Sequence, residues 1–123
     1  MKTKVYFAHS KLIYDTPLEH RLIMIMKNAG LDVIDPNGDM GELSSITPYL
    51  EMVDKCDALV VHTTSKHYVG KGVYEEIKRA IAKKKPCHWI KNTKDLSLSL
   101  VIIEGVRVYD PMDWKKKYGT IIY

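Results

Sequence analysis

Long hydrophobic runs are missing from this chain: no apolar stretch approaches the ~20 residues that a bilayer span requires. The start, Met1-Lys2-Thr3-Lys4, leads into a strand-like segment and not into a signal-peptide core. Cysteine is scarce, with two in 123 residues. That excludes a disulfide scaffold and points to a reducing, cytoplasmic setting, with Cys56 and Cys87 as buried thiols. One-sided charge is also lacking, since 19 Lys+Arg stand against 15 Asp+Glu for a net +4. This balance suits an anionic small molecule without requiring nucleic acid or a membrane surface. The basic runs 79–85 and 115–117 carry no interleaved aromatics, so they read as solvated helix faces. Five histidines occur at no standard zinc spacing and without a cysteine pair, so no metal and no cofactor are expected. No repeat, low-complexity tract or linker interrupts residues 1–123, which at 14.1 kDa make one domain.

What is present is alternation. Val5-Tyr6-Phe7-Ala8 is a β-rich run. Pro17 opens a helical pattern of Leu18, Leu22, Ile25, Met26 and Ala29 that Gly30 closes. Leu31 to Ile34 is a second strand, stopped by Asp35-Pro36-Asn37-Gly38. Thr47-Pro48 reads as a cap and first turn, with Leu50, Val53 and Cys56 facing inward. Ala58 to Val61 is the continuous apolar run of a strand covered on both faces. A polar loop, Thr63 to Lys71, leads to a helix over 72–84, then a strand over 86–90. Apolar runs at 100–103 and 106–108 supply one more strand or a bent pair, and Asp110-Pro111 starts a last helix. The pattern predicts an α/β fold, a flavodoxin- or Rossmann-like three-layer sandwich with a mainly parallel five-stranded sheet and helices on both faces. Ligands of such sheets bind at the carboxyl ends of the strands, where the loops 9–12, 35–39 and 63–71 would meet.

The sharpest local feature is Gly70-Lys71-Gly72-Val73-Tyr74-Glu75-Glu76-Ile77. Glycines before a helix let its backbone approach a ligand and aim N–H groups at an anion. Glu76 falls one turn in, between the inward positions Val73 and Ala80, whereas Glu75 turns further toward water. A carboxylate near a helix N-terminus is favoured in its ionised form, which suits a nucleophile. Asp57, at the start of a central strand, reads as a ligand of nearby backbone amides.

Three segments in order carry a resemblance: Val5-Tyr6-Phe7-Ala8, Cys56-Asp57-Ala58-Leu59-Val60-Val61, and Gly72-Val73-Tyr74-Glu75-Glu76-Ile77-Lys78-Arg79-Ala80, followed by Lys85-Pro86. Over residues 4–90 the chain resembles the nucleoside 2-deoxyribosyltransferase-like family, which includes deoxynucleoside 5′-monophosphate N-glycosidases. The resemblance implies the same α/β fold and a cleavage or transfer at the N-glycosidic bond of a deoxynucleoside or its 5′-monophosphate. It aligns Glu76 with the family's nucleophile, Tyr6 with the tyrosine that orients it, and Ser10 and Gly72 with phosphate contacts. His9, Lys11, Asn37, Gly70 and Lys71 fall in the same loops as candidate substrate-binding residues.

Two positions depart from the family pattern. Tyr49 stands where the family has an aspartate, and Gly70 where it has an aspartate or serine. Tyr49 could stack on a base and His67 could supply the proton. The departures leave open a non-catalytic nucleotide-binding module. A nucleotide hydrolase similar to TIR domains, acting on NAD-like molecules, is a third reading, suggested by Phe7-Ala8-His9-Ser10. Relatives of the resembled family assemble as dimers or rings. The tail, with Trp114, Tyr118, Ile121, Ile122 and Tyr123, is apolar enough to predict a homo-oligomer.

Overall fold

The computed structural model describes residues 2–10, 13–40, 45–63, 68–92, 94, 97–100 and 105–108. Its elements in chain order are β1 (Lys4–Ala8), α1 (Pro17–Asn28), β2 (Asp32–Ile34), α2 (Thr47–Lys55), β3 (Ala58–Val61), β4 (Tyr68–Val69), α3 (Lys71–Ala82), β5 (Cys87–Asn92), β6 (Ser97–Leu100) and β7 (Arg107–Val108). Between β2 and α2 lies one wide helical turn, Pro36–Met40. The protein is α/β with a mainly parallel sheet. Strand order is β2-β1-β3-β5-β6, with β6 antiparallel to β5 and all other pairs parallel. The chain steps from β1 to β2 on one side and to β3 on the other. That reversal opens a crevice at the carboxyl ends of β1 and β3.

Strand alternation divides the core in two. Tyr6, Ala8, Leu59 and Val61 pack with Val53 of α2 and with Val73, Ile77 and Ala80 of α3. Val5, Phe7 and Val60 pack with Leu22 and Met26 of α1. The helices begin and end for local reasons. Thr16 caps α1 by accepting from the Glu19 N–H at 3.3 Å, Pro17 fits the first turn, and Gly30 leaves the helix at φ 91°. Two lysines, Lys83 and Lys84, follow α3, the second at φ 58°. Asp57 accepts from the Lys4 N–H at 2.8 Å and ties β3 to β1.

Three details differ from the sequence reading. Thr47 is the first residue of α2 and not its cap; Ile46 precedes the helix, its carbonyl accepting from the Leu50 N–H at 3.1 Å. The stretch after β3 is not all loop, because Tyr68–Val69 pairs in parallel with Arg107–Val108 as a separate two-stranded sheet. A two-residue strand has no periodicity to read, and its partner is remote in sequence. The last strand of the main sheet is Ser97–Leu100, earlier than the apolar run at 101–103, which lies outside the described residues. So do the expected helix after Asp110 and the apolar tail. Among the described residues no helix is long and apolar enough to cross a membrane.

Candidate active site

The apolar stripe of α3 draws Glu76 inward, where it is only 6% exposed. From β1, the hydroxyl of the fully buried Tyr6 donates a hydrogen bond to Glu76 Oε2. Helix position alone favours the ionised carboxylate, but burial outweighs it. Desolvation pushes the Glu76 pKa up to about 7, against the lowering effect of the Tyr6 bond. Burial first, and then the Glu76 charge, hold the Tyr6 hydroxyl far above its ordinary range, so Tyr6 remains a donor. Glu75 lies half-buried and pairs with Lys78 at 3.2 Å, away from this contact.

Two more tyrosines share this field. The hydroxyl of half-buried Tyr14 is raised by burial and then by the charges of Glu76, Tyr49, Asp35 and Glu19. Tyr14 and Tyr49 also act on Tyr6. Glu76 thus has Tyr6 as its hydrogen-bond partner and acts on Tyr14 through its charge. The loop reading stopped at residue 12 and missed Tyr14, two positions further on.

Beside this group a second cluster ties β1, α1 and the turn after β2. His9 Nε2 lies 2.8 Å from Asp35 Oδ1 and 3.3 Å from Glu19 Oε2, and all three residues are buried. Asn37 Nδ2 donates to both Glu19 oxygens at 3.1 and 3.2 Å, and to Asp15 Oδ1 at 3.1 Å. The Asp15 N–H donates to Glu19 Oε1 at 3.0 Å, and its backbone is held at φ 60°. His9 packs between Phe7, centroids 4.3 Å apart, and Tyr14, edge-on at 5.1 Å. His9 and Asn37 were sequence candidates; Glu19 was not. Its signal was present, since Glu19 shares the stripe of Leu22 and Met26 on α1. Asp35 was read as a turn former in the 35–39 loop, with no role of its own.

At the carboxyl ends of β1 and β3 a small, open recess lies against the start of α3. Its walls include Ser10, His62, Thr63, Gly70 and Val73. Gly70 precedes α3 in extended conformation and contributes no capping side chain. Gly72 follows within the first turn, and Lys71 is exposed beside it. Lys11 and His67 lie outside the described residues. The structure thus pairs Tyr6 with Glu76, lines the recess with Ser10 and Gly70, sets Gly72 in the first turn of α3, and holds His9 and Asn37 in the second cluster. No family model, curated protein or solved structure matches this chain.

Chemically, the site offers a buried carboxylate of intermediate basicity, a fixed phenol donor and an uncapped helix start. From the sequence His62 counted only as one of the histidines near the site, set aside because their spacing matches no zinc pattern. Its basicity is pulled down to about 4 by burial and then by the neighbouring His9 charge, so the ring is neutral at neutral pH. His9, Glu19 and Asp35 also place one ligand atom each within 4.8 Å of the others, a donor set that can take a divalent cation. Linear spacing concealed it, because the ligands come from three separate elements. Hydrogen bonds within the cluster already pair each of these side chains.

Proposed function

We propose that this chain cleaves, or transfers at, the N-glycosidic bond of a deoxynucleoside or a deoxynucleoside 5′-monophosphate. The observation that carries the reading is the buried Glu76 carboxyl of α3, held by the hydroxyl of Tyr6 from the central strand β1. Glu76 attacks the anomeric carbon as the carbon–nitrogen bond breaks, and the bonding pair leaves with the base. A carboxylate is the group that an oxocarbenium-like centre requires. Attack by water, or by a second base, then frees Glu76. The Tyr6 hydrogen bond fixes which carboxylate oxygen is free to attack and steadies the charge that returns to Glu76 on release. Tyr14, whose hydroxyl feels the Glu76 charge, is the phenol that hydrogen-bonds the departing base.

Ordered matches to the deoxyribosyltransferase-like pattern over residues 4–90 support the same reading. So do Ser10 in the wall of the recess and Gly72 in the first turn of α3, where helix N–H groups favour a phosphate. The three-layer, flavodoxin-like plan belongs to this reading, since α1 covers one face of the sheet and α2 and α3 the other. A homo-oligomer completes it, to be checked by light scattering against the 14.1 kDa of one chain.

Free base is the decisive product. The purified protein is incubated with the four deoxynucleosides, their 5′-monophosphates and NAD, and base release is followed by chromatography. Release from the deoxy compounds alone supports the proposal, and release from NAD alone favours the TIR-like hydrolase. Release from none, with nucleotide binding retained, favours the binding module that the departures at Tyr49 and Gly70 suggest.

A further inference from the structure

We propose that His9, Glu19 and Asp35 form a binding site for a first-row divalent cation such as Zn²⁺, which fastens the end of β1 to α1 and to the turn after β2. The site is separate from the Glu76–Tyr6 pair, and it stands or falls without the N-glycosidic reading.

The histidine sets the chemistry. His9 Nδ1 lies 3.3 Å from the Ser10 carbonyl oxygen. A carbonyl only accepts, so Nδ1 carries a proton. A neutral His9 then turns the lone pair of Nε2 toward Asp35 Oδ1 at 2.8 Å and Glu19 Oε2 at 3.3 Å. Lone pairs on three atoms this close repel one another unless a cation lies between them. That cation is a proton on Nε2 or a metal ion. One ring nitrogen fixed by a backbone carbonyl, with the other turned to the ion, is the common arrangement of a metal-ligating histidine.

Charge balance favours the metal ion. Glu19 and Asp35 are 1% and 6% exposed and bring two negative charges into the interior. Among the described residues, neither pairs with a lysine or an arginine. A proton on His9 supplies one positive charge and leaves one buried negative charge in excess, which is costly. A divalent cation held by neutral His9 closes the balance.

The geometry agrees. Metal–ligand bonds of about 2.1 Å set adjacent donor atoms about 3.0 Å apart in an octahedral shell and about 3.4 Å apart in a tetrahedral one. The 2.8 and 3.3 Å separations in the cluster lie close to those edges, and the three donor atoms all fall within 4.8 Å of one another. One imidazole nitrogen with two carboxylate oxygens suits Zn²⁺ or Mn²⁺, whereas Ca²⁺ and Mg²⁺ prefer oxygen alone. The carboxylates are also oriented from outside. Asn37 donates to both Glu19 oxygens, and the Asp35 N–H donates to Asp39 Oδ2 at 2.7 Å. Exposed Asp15 and His20 form an overlapping donor set with the same Glu19, which gives an ion a path in from solvent.

The test uses the full chain, treated with chelator, desalted and titrated calorimetrically with Zn²⁺, Mn²⁺, Mg²⁺ and Ca²⁺ in turn. One Zn²⁺ should bind per chain with a Kd of ~1 μM or tighter, and Mg²⁺ and Ca²⁺ ~100-fold more weakly or not at all. Saturating Zn²⁺ should raise Tm by ~5 °C or more. His9→Gln and Asp35→Asn should each weaken Zn²⁺ binding by ~100-fold or more, and His20→Gln by no more than ~3-fold. Failure of wild type to bind Zn²⁺ would overturn the proposal. So would binding that His20→Gln abolishes and His9→Gln leaves intact, since the ion would then sit at the exposed set.

Imidazole ¹⁵N spectra of the wild type decide the matter if a variant fails to fold. On addition of Zn²⁺, His9 Nε2 should move to the metal-bound range while Nδ1 keeps its proton. A His9 ring that stays protonated on both nitrogens at saturating Zn²⁺ would show that a proton alone balances the carboxylates, and the site would be refuted.

Discussion

Replacing Glu76 by glutamine should make the folded protein more stable above neutral pH while disabling it. Burial raises the Glu76 pKa from its ordinary 4.5 to about 7. The folded state then binds more protons than the unfolded state between those values, so stability falls as pH rises through this window and the penalty is complete above it. At 1.36 kcal/mol per pH unit, the penalty is about 3 kcal/mol. Glutamine keeps the volume and removes the charge. It weakens the bond that Tyr6 donates, from charge-assisted to neutral, which gives back about 1 kcal/mol. The net expectation at pH 8 is a gain of about 2 kcal/mol, or roughly 8 °C in Tm. Near pH 4.5 the gain should vanish or change sign. Urea unfolding of both proteins at pH 4.5, 6 and 8 measures it directly. Base release should fall by ~100-fold or more, since only positioning and electrostatic effects survive the loss of a nucleophile. A stability difference that is the same at all three pH values would show that Glu76 is not desolvated as described, and the reasoning would fail.

Base release by the wild type should rise with pH through about 7, as Glu76 loses its proton, and a flat profile from pH 5 to 9 would exclude Glu76 as nucleophile. Tyr6→Phe removes the bond that lowers the Glu76 pKa, so the same limb should move alkaline by ~1 unit or more, and an unmoved limb would show that the bond does not tune the carboxylate. Glu19→Leu strips His9 and Asn37 of a buried acceptor and should cost about 3 kcal/mol in urea unfolding; an unchanged midpoint would mean that the cluster contributes nothing to stability.

The α/β order was readable from the sequence because the residues that make these elements act locally. Pro17 and Gly30 bracket α1, and the alternation of Val5, Tyr6, Phe7 and Ala8 assigns each residue of β1 to one face of the sheet. Glu76 was legible for the same reason, since its place between Val73 and Ala80 on the helix follows from 3.6 residues per turn. Pairings without a local period were not. The β4–β7 strand pair joins residues 68–69 to 107–108, and neither segment announces the other.

The site divides in the same way. The sequence by itself determined which carboxylate faces inward and which loops converge, because helical and strand periods fix direction within an element. Only the tertiary structure decided the protonation of Glu76, because the desolvation that raises its pKa comes from packing α3 against β1 and β3. Likewise, it alone made Glu19, Asp35 and His9 one cluster and left the buried Nδ1 of His62 without a partner among the described residues. Burial and partnership are properties of the space between elements, and no residue carries them along the chain.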